Sequence, residues 1–462
     1  MRRTPAYTVR DGLERLATYP FHILTWVGDD GYPVSVATVA SVDPAAGAAS
    51  FDAPSGFVGL AGREVSLTGS HIRPQPGYGY DERRHVTVWG RPAQSPDGRL
   101  TMAGIASWGW DEAEVPFFEY SERSVPRARR YFDALTRERG TPVKPRLSLP
   151  WLTLRSTRLP FLTASIVPVA VGIAIAASES VFDPLIAVLT IIGAGFIHLG
   201  LNVANDVFDT MTGADEVNVT PTQYSGGSRV IQYGLVSLRG MATISAICYA
   251  VGIAIGLAIL ALRPSTALLA IGVVGLIVSV GYTAPPLRFV YRGVGEIAVA
   301  LGFGPLMLLG AYVAQTGGRL TWEPFVASIP IAIFVALILY VNEIPDRRSD
   351  ARAGKMTLPV RLDQATVIRV YGAAAAIAFA VLIGGVLGGS LPVTAAMALV
   401  AMPIAYRVYR GLGPYYDDPY GLMLVMAANI RVHLVAGIAL VIAYLAVIAA
   451  AAVAPGTTLF LG

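Results

Sequence analysis

Asn205-Asp206-Val207-Phe208-Asp209 has an echo far downstream in Asn342-Glu343-Ile344-Pro345-Asp346. Both read Asn-acid-x-x-Asp, and each closes a long apolar run and opens a polar, arginine-bearing stretch. Each is therefore expected to hang from the end of a membrane helix at the water boundary. Carboxylates at that depth are unfavourable unless paired through a cation or turned towards a polar cavity, which makes both stretches functional-site candidates. A hard divalent metal is the natural counter-charge, and oxygen-only donors favour magnesium.

Around the first stretch, His198, Asn202, Asn205 and Asp209 recur at three or four residues and share one helix face, directed into a bundle. For His198 and Asn202, bonding to a neighbouring helix and contact with a substrate are both open. Asp206, Asp209 and, after Gly213, Asp215 concentrate negative charge that no local basic residue cancels. In the second stretch, Asn342 opens a cluster of Glu343, Asp346 and Asp350, with Asp346 and Asp350 one helical turn, about 6 Å of rise, apart. Pro345 is expected to loosen the last turn there. Arg347, Arg348 and Arg352 offer the alternative of an ordinary solvated helix end with salt bridges. Between and after the clusters, Ser225-Gly226-Gly227-Ser228-Arg229 supplies flexible backbone amides and a cation, and Arg288 and Lys355 add two more positive charges. Together these fit a diphosphate bridged to the carboxylates by magnesium.

The wider composition agrees with membrane residence. Of 462 residues, 54% are hydrophobic and 14% charged, too apolar for an ordinary soluble enzyme. Beyond Arg158, apolar runs of spanning length recur at 160–178, 184–205, 239–262, 265–283, 294–315, 324–344, 368–388, 391–410 and 430–453, which predicts about nine transmembrane helices. With the N-terminus in the cytoplasm, Arg229, Arg239, Arg288, Arg292 and the basic run from Arg347 to Arg361 all fall inside, against only Arg263 and Arg319 outside. The acid motifs, the loops around them and the N-terminal region are then cytoplasmic, and Gly462 lies outside, in a multi-pass protein of the cell membrane. Both motifs follow even-numbered helices, so a four-helix unit repeated in parallel orientation is expected. The net charge of +4 comes with no basic, aromatic-interleaved patch, so nucleic acid is not an expected partner. A single cysteine, Cys248, excludes an intramolecular disulfide and a cysteine-based zinc site.

The first 147 residues differ in kind. Phe21 to Val27, a Gly28-Asp29-Asp30-Gly31 turn and Tyr32 to Val42 read as a hairpin, with further short strands at Ala48 to Phe51, Glu64 to Thr68 and His85 to Trp89. Several short strands in succession predict a small barrel. Ser124-Val125-Pro126 is placed to open a short helix ending near Glu138. Gly140, Pro142, Lys144, Pro145 and Pro150 form a linker. The expected organisation is multi-domain: a small β split-barrel-like domain over 1–147, and an all-α polytopic membrane bundle over 148–462.

Two resemblances refine this. Phe21-His22-Ile23-Leu24-Thr25-Trp26 and Val86-Thr87-Val88-Trp89-Gly90 resemble the pyridoxamine-phosphate-oxidase-like flavin-binding split barrels. That implies flavin as a cofactor there, or a degenerate barrel kept for regulation or dimerisation. The motif Asn205-Asp206-x-x-Asp209 with Asp215, Ser225-Gly226-Gly227-Ser228-Arg229-Val230, Tyr282-Thr283-Ala284-Pro285-Pro286-Leu287-Arg288, Tyr291-Arg292-Gly293-x-Gly295-Glu296, and Asp346-x-x-x-Asp350 with Gly354-Lys355-x-Thr357-Leu358 resemble the UbiA-type intramembrane prenyltransferases. Within them the chain looks most like the menaquinone-pathway branch, which prenylates 1,4-dihydroxy-2-naphthoate. It departs from that branch's usual form in opening the second motif with Asn342-Glu343-Ile344-Pro345.

The resemblance implies two magnesium ions, one on Asn205, Asp209 and Asp215 with Asp206 in the same cluster, the other on Asp346 and Asp350, with a polyprenyl diphosphate between. Arg229, Arg288 and Lys355 would steady the departing diphosphate, Tyr282 would shield the allylic cation, and His198, Asn202 and Asn342 would contact substrate. Asp209, Asp346, Asp350, Arg288 and Lys355 are the implied catalytic set. An aromatic acceptor then attacks. Other acceptors (another quinone ring, a tetrapyrrole, a glycerol phosphate) keep the same chemistry. An ion-coupled transporter would instead require charges near mid-membrane.

Overall fold

The computed structural model describes residues 7–29, 33–55, 59–74, 80–143, 147–454 and 459–461. The chain divides into two compact units, Met1–Pro126 and Arg127–Gly462. Expectations for Asp30, Gly31, Tyr32, Lys144, Pro145 and Gly462 lie outside the described residues.

In the first unit, Thr8 and Asp11 cap each other's backbone amides at 3.1 Å and start helix α1 (Val9–Leu16), which turns Leu13 and Leu16 into the core. Seven strands follow: β1 (His22–Val27), β2 (Pro33–Thr38), β3 (Ala40–Asp43), β4 (Ala48–Phe51), β5 (Val65–Pro74), β6 (Tyr80–Gln94) and β7 (Leu100–Asp111). They form one antiparallel sheet in the order β2-β1-β5-β6-β7-β4-β3. A flat sheet of this width would hold its edges about 29 Å apart at ~4.8 Å per strand. Here the edge strands β2 and β3 are separated in the chain by Val39 alone, so the sheet has to roll up. His22 of β1 helps to fasten the roll: its Nδ1 accepts the amide of Ala40 in β3 at 3.2 Å. Leu24, Phe51, Leu67, Val88 and Met102 fill the interior. The stretch expected to be one strand from Tyr32 to Val42 is thus two strands at opposite edges of the sheet.

Helix α2 (Phe117–Arg139) starts well before Ser124 and carries Pro126 inside it, rather than opening there. The helices of the second unit are α3 (Leu149–Thr157), α4 (Thr163–Ser178), α5 (Pro184–Thr212), α6 (Ala214–Val217), α7 (Leu238–Leu262) and α8 (Thr266–Gly281). Next come α9 (Gly295–Leu301), which a π-helical turn (Gly302–Leu306) joins to α10 (Met307–Thr316), then α11 (Trp322–Arg352) and α12 (Leu358–Arg361). The last are α13 (Gln364–Leu387), α14 (Met402–Tyr415) and α15 (Leu422–Val453).

Among the described residues six helices are long and apolar enough to cross a membrane: α5, α7, α9 with α10, α11, α13 and α15. The other three expected spans fall on shorter pieces. These are α4, α8, and a 3-10 run (Val393–Ala401) that leads into α14. Among the described residues, length and composition therefore support six of the nine expected spans.

Asp183 caps α5 through the amides of Leu185 and Ile186 at 2.9 and 3.2 Å, a contribution of about 1 kcal/mol, and pairs with Arg263 at 2.8 Å. The core is apolar with a few polar ties. Tyr371 donates to Asn429 at 3.0 Å, and Asn429 to the carbonyl of Leu337 at 2.7 Å, which fastens α13, α15 and α11 together.

Candidate active site

Apolar side chains dominate α5 and α11 until their last turns, where each acid motif begins. Both helices outlast their apolar runs, reaching Thr212 and Arg352, so the motifs sit inside helices rather than beyond them. Pro345 does not end α11. Helical spacing carries His198, Asn202, Asn205 and Asp209 from α5, and Asn342, Glu343, Asp346 and Asp350 from α11, to one polar cavity of about 160 Å³. Asp215, Tyr282 and Lys355 line it too.

Asp209 binds three side chains. Its Oδ2 accepts from Lys355 Nζ and from Asn205 Nδ2, each at 3.1 Å, and its Oδ1 accepts from Tyr291 at 2.9 Å. Burial opposes the charge on Lys355, but Asp209 and Asp350 more than offset it and hold the ammonium well above the usual lysine range. Burial, with Asp209 and Asp206 close by, pushes the Asp215 carboxyl well above the carboxylate range, while Arg229 and Lys355 pull the other way.

The Ser225–Arg229 segment joins the two motifs. Two of its amides are taken by the acids: Gly226 donates to Asp346 Oδ2 at 2.8 Å, and Ser228 donates to Asp206 at 3.1 Å. Gly226, Gly227 and Arg229 all have positive φ, and a Cβ on Gly227 would lie 2.8 Å from Asp215 Oδ1. Only glycine allows so close an approach. Asn218 completes the shell of Asp346, donating to Oδ1 at 2.9 Å.

Not every expected residue reaches the cavity. Asp206, Arg229 and Arg288 are absent from its lining. Arg229 is spent on the backbone carbonyls of Asp215 and Asn218, and the Arg288 guanidinium lies 5.7 Å from the Tyr291 ring centre. Arg347 and Arg348 both turn to Asp417, so among the described residues neither is an ion-pair partner of Asp346 or Asp350. Conversely, the cavity recruits Arg158, Asn218 and Tyr224, which no motif singled out. Arg158 sits at the end of α3 with φ 53°, a conformation uncommon for a side-chain-bearing residue, and that could not be read from its neighbours.

Among the described residues no three His, Cys, Asp or Glu side chains form a ready metal cluster. The donors nevertheless suit a hard cation. They are oxygens throughout, and Asn205 Oδ1 and Asn342 Oδ1 are buried with no hydrogen-bond partner. Magnesium is commonly held by one or two carboxylates, with waters and substrate phosphates completing its shell.

A second chamber of about 330 Å³, almost wholly apolar, shares His198, Leu201, Tyr282, Val299 and Phe303 with the first.

Residues 165–430 match the UbiA prenyltransferase family. The chain is 26% identical over 296 residues to a 2-carboxy-1,4-naphthoquinone phytyltransferase of Synechocystis, covering 63% of this chain and 92% of that one. It is 30% identical over 239 residues to a 1,4-dihydroxy-2-naphthoate octaprenyltransferase of Mycobacterium tuberculosis, covering 52% and 77%. A solved UbiA homolog from Aeropyrum pernix overlays on 62% of this chain and 98% of its own, with TM-score 0.48 and 19% identity.

Proposed function

Since the chain belongs to the UbiA prenyltransferase family, we propose that it transfers a polyprenyl group from an allylic diphosphate to 1,4-dihydroxy-2-naphthoate, with magnesium, at the cytoplasmic face of the cell membrane. The observation that carries this reading is the junction of two chambers, one lined by both acid motifs and the other apolar. A prenyl diphosphate has the same two-part character.

The donor's diphosphate lies in the polar chamber, where Asn205, Asp209, Asp215, Asp346 and Asp350 would hold magnesium. Bound there, the metal supplies Lewis-acid neutralisation of the leaving group. Lys355, whose ammonium is kept charged by Asp209, and Arg158 offset the negative charge that grows as the allylic C–O bond breaks and the diphosphate departs with the electron pair. Tyr282 and Phe303 line the junction, where ring faces stabilise the allylic carbon as it becomes cationic. The electron-rich ring carbon of the naphthoate then forms the new C–C bond, and the ring carboxyl leaves as carbon dioxide. The 1,4-dihydroxy-2-naphthoate octaprenyltransferase among the similar chains supports this acceptor.

Arginine is concentrated beside the motif-bearing ends of α5 and α11, which supports placing those ends and the first unit in the cytoplasm, with nine crossings if α4, α8 and α14 with its 3-10 lead also span. The rolled β unit is an accessory domain of the 1–147 region, with flavin as the ligand its sequence resemblance implies.

Diphosphate release by the purified protein in detergent, with magnesium, a long allylic diphosphate and the naphthoate, tests the reading. Naphthoate-dependent release with a prenylated, decarboxylated product is expected. Loss of release in Asp209→Asn and Asp346→Asn, with the protein still folded, is expected as well. Wild-type activity in either variant refutes the placement of the metals.

A further inference from the structure

On the face of α5 that looks into the polar chamber, His198 stands furthest from the acid motif. Asn205 and Asp209 follow two and three turns further along, about 10 and 16 Å of helical rise away. His198 is therefore set back from the α5 groups that would hold the metal and the diphosphate. It lies instead where the two chambers join, with Leu201, Tyr282, Val299 and Phe303 as the other shared residues. Of these five, only His198 and Tyr282 carry a polar side-chain atom. The imidazole is 3% exposed and held on two sides. Ser165 Oγ, buried on α4, meets its Nδ1 at 2.6 Å, and the Phe303 ring stands edge-on to it with 5.2 Å between centres. Nε2 is buried with no hydrogen-bond partner. A buried polar atom in that state is unfavourable, so on a fixed ring beside a cavity it points to a ligand atom that satisfies it.

The two substrates offer three kinds of group. The prenyl tail has no polar atom. The diphosphate belongs with the carboxylates, Lys355 and Arg158 of the polar chamber. The acceptor brings hydroxyls, and in 1,4-dihydroxy-2-naphthoate the two differ. The 1-hydroxyl sits beside the carboxylate and hydrogen-bonds to it within the molecule. The 4-hydroxyl has no internal partner and needs one from the protein. A hydroxyl both donates and accepts, so it satisfies Nε2 in either imidazole tautomer. With the 4-hydroxyl at His198, the flat ring lies among Leu201, Val299 and Phe303, and its carboxylate edge turns towards the cations of the polar chamber.

We infer that His198 Nε2 hydrogen-bonds the 4-hydroxyl of the acceptor and so selects a dihydroxylated ring, with Ser165 as the positioning residue that holds the imidazole in place. The inference rests on the prenyl-transfer reading with a naphthoate acceptor. A site built to hydrogen-bond a hydroxyl rejects the analogue that lacks it, because the protein group is then left unpaired.

The test uses the full-length protein in detergent with magnesium and geranylgeranyl diphosphate, and compares 1,4-dihydroxy-2-naphthoate with 1-hydroxy-2-naphthoate by product mass spectrometry. The quantity read is the ratio of their kcat/KM values. If the second acceptor binds without reacting, its inhibition constant against the first replaces its kcat/KM. Intrinsic differences in ring reactivity are common to all variants, so only a change in the ratio reports the contact. In His198→Leu the preference for the dihydroxy acceptor is expected to fall about ten- to a hundredfold. Ser165→Ala should lower it by a smaller factor, and His198→Gln, whose amide still offers hydrogen bonds, should restore most of it. His433→Leu is the control. His433 is equally buried, and its Nε2 also meets the first turn of α4, at the Thr163 carbonyl 3.3 Å away, yet it lines neither chamber. A ratio unmoved in His198→Leu, or moved equally in His433→Leu, overturns the contact while prenyl transfer stands. Should His198→Leu fail to fold, an unmoved ratio in Ser165→Ala overturns it instead. A wild-type protein that prenylates neither acceptor overturns the naphthoate reading, and the contact with it, before any variant is made.

Discussion

Replacing Lys355 by methionine keeps most of the side chain's length and removes its charge from a site where it has few substitutes. Lys355 and Asp209 side chains are 11% and 7% exposed and meet at 3.1 Å. Breaking a buried pair by deleting one partner typically destabilises by about 3–5 kcal/mol, because the other charge is left uncompensated. Asp209 keeps hydrogen bonds from Asn205 at 3.1 Å and Tyr291 at 2.9 Å, which places the expected loss near the lower end, about 3 kcal/mol. Thermal unfolding of the purified protein, without divalent cations, measures it. Two companion measurements separate charge from packing. Asp209→Asn combined with Lys355→Met removes both charges and is expected to be more stable than Lys355→Met alone. Added magnesium, which supplies the missing positive charge, is expected to raise the melting temperature of Lys355→Met more than that of the wild type. Turnover should fall by about 10²–10³, as for loss of one preorganised electrostatic donor. A Lys355→Met protein with wild-type stability and an unaltered response to magnesium refutes the reasoning.

Gly227→Ala places a Cβ 2.8 Å from Asp215 Oδ1 at φ +75°, so a loss of at least about 1–2 kcal/mol in thermal unfolding, with reduced turnover, is expected. Glu343→Gln replaces a buried carboxyl beside the buried Glu296; with one of two neighbouring acids gone, melting should be unchanged or higher while diphosphate release drops. In the first unit, burial among Trp108, Trp110 and Tyr120 lowers the His85 pKa from 6.5. A depressed imidazole stabilises the folded state fully above the unfolded value. That contribution is lost as pH falls below 6.5, because the unfolded chain takes up a proton that the folded one resists. Tryptophan-detected unfolding should therefore show stability decreasing from pH 7 to 5, with a flatter profile in His85→Gln.

The helical face of α5 and the paired acid motifs were legible from residue spacing, because a three-to-four repeat of His198, Asn202, Asn205 and Asp209 fixes a common direction whatever the rest of the fold does. The roles of the basic residues were not. Arg229, Arg288 and Arg158 look alike in sequence, and only tertiary placement decides that Arg158 enters the cavity while Arg229 holds backbone carbonyls. Of the flexible amides expected in Ser225-Gly226-Gly227-Ser228, those of Gly226 and Ser228 are occupied by Asp346 and Asp206, partners far away along the chain. Pro345 is expected to loosen the last turn, and the structure adds that α11 continues past it to Arg352, because a proline removes only one amide. Strand β7 escaped notice because Leu100–Asp111 is rich in alanine, glycine and serine, so neither β-branching nor a sharp alternation announces it.

The Ser225–Arg229 segment reaches Asp206 through one amide and Asp346 through another only two residues away. One short backbone segment thus touches both acid motifs, which gives a coupling between them a direct physical path. Such linkage is reciprocal: whatever factor occupancy at the first motif applies to affinity at the second, occupancy at the second must return to the first.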